Sequence, residues 1–497
     1  MPGRNIGIEE LMNRSKVPFG TSGARGLASN MTDEVCYAYT VAFLQYLEST
    51  GDLEEKGVIG IGGDFRPSTD RIMKAVSRAI ESRGYIPENC GTIPSPALAY
   101  YGLVKQIPTV MVTGSHIPAD RNGIKYTKAE GEILKHDESG MKQMVIQLPE
   151  GLFDDQGMLM FESTLPPINH DAYEKYARRY VDFFGSNSLK GFHIGVYQHS
   201  AVGRHLMVEI LSGLGAEVMP LGLSDVFIPV DTEAVRPEDR ELAKNWAAEY
   251  GFDALVSSDG DGDRPLISDE KGRWLRGDVA GILCADYLDA NAVVTPVSCN
   301  TALEKCGLFE RIYRTKIGSP YVIEGMYKAQ REGGGTVVGY EANGGLLLGS
   351  PIQSGGHQLM ALPTRDAVIV HIAILLLSKK RSMRISELLS QLPPRYTFSD
   401  RLKDFPTEKS KEKLSELYTG NWSRDKKTIE SALGRQLGEV DSLDITDGLR
   451  ITFRNGEIVH LRPSGNAPEF RCYTEADTES RAMTINRICT DVMSTWR

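Results

Sequence analysis

The chain has 497 residues, 41% of them apolar and 25% charged, a balance that excludes a mainly disordered protein. At roughly 150 residues per domain, that length holds about three to four cores. Lys and Arg number 56 against 66 Asp and Glu, so the net charge of −10 argues against general binding to nucleic acid or anionic membranes, while leaving room for a local phosphate-binding pocket.

Met1 to Gly20 has no apolar run of the kind that opens a signal peptide. The first strand is predicted at Val58–Asp64, ahead of a helix over Ser68–Arg83 with Ile72, Val76, Ala79 and Ile80 on one face. Thr109–His116 is a second strand, running into a loop. His193–His199 is a third, and Val202, Leu206, Ile210 and Leu214 then share a helical face. Ala254–Asp259, Ala292–Thr295 and Thr336–Glu341 continue the series. Alternating strands and helices predict α/β domains with mainly parallel sheets. Ligands of such sheets bind beyond the carboxyl ends of strands. The polar residues there are Asp64, Ser115, Asp259 and Glu341, which a shared cleft would bring together.

Ala367–Leu377, the longest apolar run, is too short for a membrane span of about 20 residues. The last hundred residues differ. Leu449–Arg454 alternates apolar and polar residues, Asn455-Gly456 predicts a type I′ turn, and Glu457–Leu461 returns as the partner strand. A helix over Thr478–Val492 turns Ala482, Ile485, Cys489 and Val492 inward, completing an α+β domain. Boundaries are expected near Pro166-Pro167, Arg273–Asp278 and Leu392-Pro-Pro394. The seven cysteines are odd in number and lack CxxC spacing, which points to a reducing, cytoplasmic setting.

Asp259-Gly-Asp-Gly-Asp-Arg264 is the sharpest chemical signal. Alternating carboxylates and glycines on a short loop can aim three side chains at one hard cation such as Mg²⁺. A solvated acidic turn is the plain alternative. An EF-hand would align Asp259, Asp261, Asp263 and Glu270, but Arg264 stands where that loop requires glycine, and a strand precedes it. Thr113-Gly-Ser-His-Ile-Pro-Ala-Asp-Arg-Asn-Gly-Ile-Lys125 places a serine at a strand end, outside any GxSxG elbow. Beside a metal loop, that hydroxyl suits phosphoryl transfer. Arg462-Pro-Ser-Gly-Asn-Ala-Pro468 with Arg471 offers guanidinium and backbone donors for phosphate. Gly339-Tyr-Glu-Ala-Asn-Gly-Gly345 offers a carboxylate and an amide for paired sugar hydroxyls.

In chain order these segments resemble the α-D-phosphohexomutase family of phosphomannomutases and phosphoglucomutases. Phe19-Gly-Thr-Ser-Gly-Ala-Arg-Gly26 and Thr315-Lys-Ile-Gly318 are similar to two more of its motifs. The resemblance implies three mixed, mainly parallel α/β domains (1–165, 166–275 and 276–393) plus a C-terminal α+β domain (394–497) around a central active-site cleft. It implies a resting phosphoserine at Ser115, with Ser115, Asp259, Asp261 and Asp263 holding Mg²⁺. It places His116, Lys125, Arg25 and Arg264 around the transferred phosphoryl group, and Lys125, its pKa lowered by neighbouring cations, is the expected acid or base. Lys316, Gly318, Glu341, Asn343, Arg462, Ser464, Gly465, Asn466 and Arg471 would bind substrate. The partners implied are sugar phosphates, with a hexose 1,6-bisphosphate as activator, acting on a monomer or small homo-oligomer. The expected reaction interconverts hexose 1- and 6-phosphates, mannose first and glucose close behind, with phosphoglucosamine or acetylglucosamine phosphate as the further alternative. A metal-assisted phosphatase and a non-catalytic Ca²⁺-binding module are rivals of other classes. The sugar loop departs from the family's Gly-Glu-x-Ser-Gly-His: Asn343 and Gly345 replace its serine and histidine, as in a Glu-Ala-Asn-Gly arrangement resembling acetylglucosamine phosphomutases. In the phosphate loop Asn466 stands where threonine is usual. Sugar identity is what these departures bear on.

Overall fold

The computed structural model describes residues 4–20, 23–464 and 468–496. Packing divides the chain into two compact units, one of Met1–Val293 with Gly318–Leu388, the other of Val294–Ile317 with Leu389–Arg497.

In the first unit, one sheet orders its strands Gly23–Leu27, Arg121–Lys128, Thr109–Val112, Val58–Gly63 and Ile86–Thr92, with Gly131–Glu132 added beside the second. Val58–Gly63 pairs in parallel with both Thr109–Val112 and Ile86–Thr92. Arg121–Lys128 runs antiparallel to Thr109–Val112, because the chain doubles back after the Ser115 loop. Helix Thr69–Ser82 buries Ile72, Val76, Ala79 and Ile80, the face its periodicity predicts. Asp33–Thr50 packs beside it, capped by the Thr32 side chain, which accepts from the Val35 amide. Its buried Tyr39, Phe43 and Leu47 join Ile59, Ile61, Val110 and Val112 in one core. Each large apolar side chain so buried contributes about 1.5–3 kcal/mol.

The second sheet repeats the plan. Glu217–Leu223, His193–His199 and Ala254–Ser258 are parallel neighbours, and Pro265–Ile267 folds back antiparallel after the acidic loop. A third antiparallel ladder joins Val337–Tyr340, Leu346–Leu348 and Leu362–Asp366. The sheets are therefore mixed, and the loops of Ser115, Asp259 and Glu341 are each the reversal that adds an antiparallel strand to a strand's carboxyl end. The apolar run beginning at Ala367 is the buried helix Ala367–Arg381. Among the described residues no helix is long and apolar enough to cross a membrane.

The second unit holds a five-stranded antiparallel sheet in the order Tyr396–Lys403, Glu469–Ala476, Ile458–Pro463, Leu449–Phe453 and Val440–Asp444. Helix Glu479–Ser494 covers one face through Ala482, Ile485, Cys489 and Met493, with Val492 only partly buried. The hairpin turn is not type I′ as expected, because that turn needs positive φ at both central residues. Here Gly456 has φ 81 while Asn455 stays at negative φ. The Gly456 amide donates to the Phe453 carbonyl at 2.8 Å, giving a three-residue loop closed by a glycine bulge. The Asn455 side chain is spent on the turn, its oxygen accepting from the Glu457 amide at 3.0 Å.

Candidate active site

Ser115 ends the reversal after Thr109–Val112 with φ 56, a left-handed conformation that costs a non-glycine residue about 1 kcal/mol or more. The surroundings over-determine it. Its amide donates to Thr113 Oγ1 at 2.8 Å, and the Thr113 hydroxyl donates to Asp64 Oδ2 at 2.7 Å. Arg66 Nη2 donates to the Ser115 carbonyl at 2.7 Å and to the Ile117 carbonyl at 2.6 Å, while Nη1 binds the carbonyls of Pro118 and Arg121 at 2.6 and 2.9 Å. The guanidinium stacks 4.2 Å from the Phe227 ring, and a Cβ on Gly114 would lie 2.6 Å from its central carbon. The loop thus folds around a buried cation, and the Ser115 hydroxyl points at the acidic loop, donating to Asp259 Oδ2 at 2.5 Å.

Asp259, Asp261 and Asp263 are buried, with ligand oxygens all within 4.8 Å of one another. Asp259 Oδ1 accepts from the Asp263 and Arg264 amides, both at 3.2 Å. Asp261 Oδ2 accepts from Ser95 Oγ at 2.6 Å and Lys125 Nζ at 2.5 Å. Asp263 Oδ2 accepts from Lys125 at 2.8 Å and from Arg365 at 2.8 and 3.1 Å. The other oxygens, Asp261 Oδ1 and Asp263 Oδ1, are buried without a hydrogen-bond partner. Orphaned carboxylate oxygens are costly, and a hard divalent cation is the partner they fit.

The titration pattern follows from this crowding. Burial, then the charges of Asp261 and Asp263, raise the Asp259 carboxyl well above its ordinary range. Burial also pushes Asp263 up, but Arg365, Lys125 and Arg264 hold it well below. Burial would lower Lys125, yet Asp261 and Asp263 outweigh burial and neighbouring Arg365, so its pKa is raised. This corrects the sequence expectation of a lowered lysine: its nearest neighbours are carboxylates, and it is held as a protonated donor. Burial and then Arg264 lower Arg25 to about 10. Burial, Arg264 and Arg25 strongly lower His116, whose Nδ1 lies 3.4 Å from Ser115 Oγ, leaving it neutral. Cations that depress one another in this way mark a place for an anion.

The loop after Val337–Tyr340 brings Glu341 and Asn343 into the same unit. Arg365 Nη1 donates to Glu341 Oε2 at 2.9 Å, and Asn343 Nδ2 approaches the same oxygen at 3.5 Å. Asn343 is largely structural: its Oδ1 accepts from the Gly345 amide at 2.9 Å and its carbonyl from Thr232 Oγ1 at 2.8 Å. Gly318, with φ 130, precedes helix Ser319–Arg331.

Lys316, Arg462, Ser464 and Arg471 belong to the second unit; Gly465 and Asn466 lie outside the described residues. Arg401, Arg471 and Arg462 are in register across three adjacent strands, forming one cationic row. Asp447 Oδ2 accepts from Arg462 Nε at 2.8 Å and from the Ile317 amide at 2.9 Å, joining the Arg462 and Lys316 segments within that unit.

Sequence reasoning missed Arg66, Ser95, Arg365 and Asp447. Only Arg66 carries a local signal, two residues past the strand-end Asp64. The others act on partners far away in the chain, as Ser95 does on Asp261.

This arrangement has close parallels. Four domain families of phosphoglucomutase/phosphomannomutase match the chain in order: alpha/beta/alpha domain I over residues 16–147, domain II over 171–272, domain III over 276–396 and the C-terminal domain over 413–490. A phosphomannomutase of Salmonella muenchen is 42% identical over 476 residues, covering 96% of this chain and 95% of the relative. A phosphoglucosamine mutase of Thermodesulfovibrio yellowstonii is 27% identical, covering 93% and 96%. The crystal structure of a phosphoglucomutase/phosphomannomutase family protein from Burkholderia thailandensis shares the fold with TM-score 0.72 at 17% identity, covering 96% of each chain. With its buried serine, acidic triad and four matched domains in order, the chain belongs to the phosphoglucomutase/phosphomannomutase family.

Proposed function

We propose that this protein is a phosphomannomutase, interconverting mannose 1-phosphate and mannose 6-phosphate through phosphorylated Ser115 and a hexose 1,6-bisphosphate. The observation that carries the reading is the 2.5 Å contact of the Ser115 hydroxyl with Asp259, beside two orphaned carboxylate oxygens. The 42% identity to a phosphomannomutase, against 27% to a phosphoglucosamine mutase, favours mannose.

Asp259, Asp261, Asp263 and the Ser115 oxygen would hold Mg²⁺. When bound, the ion offsets charge on the transferring phosphoryl group. In the forward half-reaction the P–O bond to Ser115 breaks as a bond to the sugar oxygen forms. Neutral His116 takes the hydroxyl proton, its basicity restored once phosphate charge sits among Arg25 and Arg264. Protonated Lys125 offsets the negative charge developing near the acidic loop. The bisphosphate then returns its other phosphate to Ser115, and added bisphosphate rephosphorylates any serine that has lost it. Glu341 reads sugar hydroxyls on a loop that Asn343 shapes, and Lys316, Gly318, Arg462, Ser464, Gly465, Asn466 and Arg471 bind the remainder of the substrate.

The test is an assay of mannose, glucose, glucosamine and acetylglucosamine 1-phosphates side by side, with intact-mass mapping of the purified protein. Phosphate on Ser115 and the highest kcat/KM for mannose 1-phosphate are expected. Free phosphate without isomer would make the protein a phosphatase, and full activity of Ser115→Ala would overturn the mechanism.

A further inference from the structure

Arg365 is the penultimate residue of strand Leu362–Asp366 and is buried, with 6% of its surface exposed. Its fork spans two loops that leave different sheets. Nε and Nη2 donate to Asp263 Oδ2 at 3.1 and 2.8 Å, and Nη1 donates to Glu341 Oε2 at 2.9 Å. The space it fills is the space Gly345 leaves: a Cβ there would lie 2.7 Å from Arg365 Cγ and Cδ and 2.8 Å from its Cβ. Gly345 has no positive φ, so its lack of a side chain serves the arginine rather than the backbone.

We propose that Arg365 is a positioning residue that sets sugar discrimination, by fixing the Glu341 carboxylate relative to the acidic loop where phosphoryl transfer occurs. The inference rests on the mutase reading above. A carboxylate distinguishes two epimers by where a hydroxyl meets it, and that place has meaning only relative to the reacting phosphoryl group. Glu341 and Asp263 follow strands of separate sheets, so small movements of one sheet against the other would blur the relation. A planar guanidinium bonded to both carboxylates removes that freedom. A lysine preserves the charge but, as a point donor on a flexible stem, does not hold two carboxylates in one geometry.

The experiment compares wild type, Arg365→Lys and Gly345→Ala. Thermal unfolding, Mg²⁺ binding by calorimetry, and kcat/KM for mannose 1-phosphate and glucose 1-phosphate are measured on each. Calorimetric affinities of the two sugar phosphates for the same proteins give a readout apart from turnover. Both variants should fold and bind Mg²⁺ with wild-type stoichiometry. The ratio of kcat/KM between the two sugars should fall roughly tenfold toward one, and the affinity ratio should narrow with it. A uniform loss of rate with the ratio intact would mean that Arg365 is merely structural. A wild type that accepts both sugars equally leaves no discrimination for Arg365 to set, and overturns this inference while sparing the mutase reading. A wild type that isomerises neither sugar overturns that reading, and this one with it.

Discussion

At the scale of single residues, the acidic loop gives some of its buried carboxylate oxygens to protein donors and leaves others without a hydrogen bond. Asp261 shows the division most plainly: one oxygen is bound by Ser95 and Lys125 and the other has no partner. Asp261→Asn should keep the fold but lower turnover by several powers of ten, since phosphoryl transfer relies on positioning and charge stabilisation. Near-normal kcat at limiting Mg²⁺ would refute the assignment. Arg66 predicts the opposite split. Its side chain and that of Asp64 are fully buried as an ion pair, and four carbonyls of the serine loop close on it. Arg66→Met should cost about 3–5 kcal/mol, read as a lower urea midpoint, because it strands a buried carboxylate. An unchanged midpoint would mean that the loop holds Ser115 without the cation. The sequence made Ser115, Lys125 and the three aspartates legible because each sits in a dense local motif. Arg365 and Ser95 were illegible, since a lone arginine or serine gives no sign of a partner 102 or 166 residues away.

At the scale of elements, strands and helices were readable from periodicity, and their connections less so. The predicted helix over Ser68–Arg83 is Thr69–Ser82, and the predicted strand Val58–Asp64 is Val58–Gly63. The resemblance implied mixed sheets, but periodicity did not place the antiparallel strands after the Ser115, Asp259 and Glu341 loops, because a strand buried on both faces reads alike in either direction. Asn455-Gly456 misled for a related reason: the dipeptide fits two hairpin loops, and the Asn455 side-chain bonds select the longer one. Asp366 shows what an element's end can hold. It caps helix Ala367–Arg381 by accepting from the Val368 amide at 3.0 Å. It also accepts from Tyr176 at 2.7 Å and from Tyr180, both on helix Asp171–Phe184. Asp366→Ala therefore removes a cap and leaves two buried phenols unpaired, at about 1–3 kcal/mol for each lost role. Unfolding of this variant should shift well below wild type while its Mg²⁺ affinity stays the same. A matching loss of Mg²⁺ affinity would show that the cap also supports the acidic loop.

At the scale of the molecule, three of the histidines lie where protons reach them only on unfolding. His199, His371 and His460 are buried, and burial lowers their pKa values to about 4, 3 and 4. The first two lie in one compact unit and the third in the other, so both units carry the same liability. Each folded pKa lies below the value of about 6.5 expected in the unfolded chain. Below pH 6.5 the unfolded chain therefore binds protons that the folded one refuses. The stability due to these groups is complete above that pH and is lost as the pH falls toward 4. The loss is about 1.4 kcal/mol per histidine per pH unit, or ~2 kcal/mol each by about pH 5. Asp64, Asp259 and Asp366, whose carboxyls burial raises, pull the other way on acidification. A single substitution isolates the histidine contribution. His371 Nε2 donates to the Leu266 carbonyl at 3.1 Å, a bond that the amide of His371→Gln can keep without a titrating proton. Urea unfolding of both proteins between about pH 7.5 and pH 5 should show wild type losing ~2 kcal/mol more than the variant. Parallel profiles would mean that His371 titrates alike in both states and contributes nothing to the acid sensitivity of this fold.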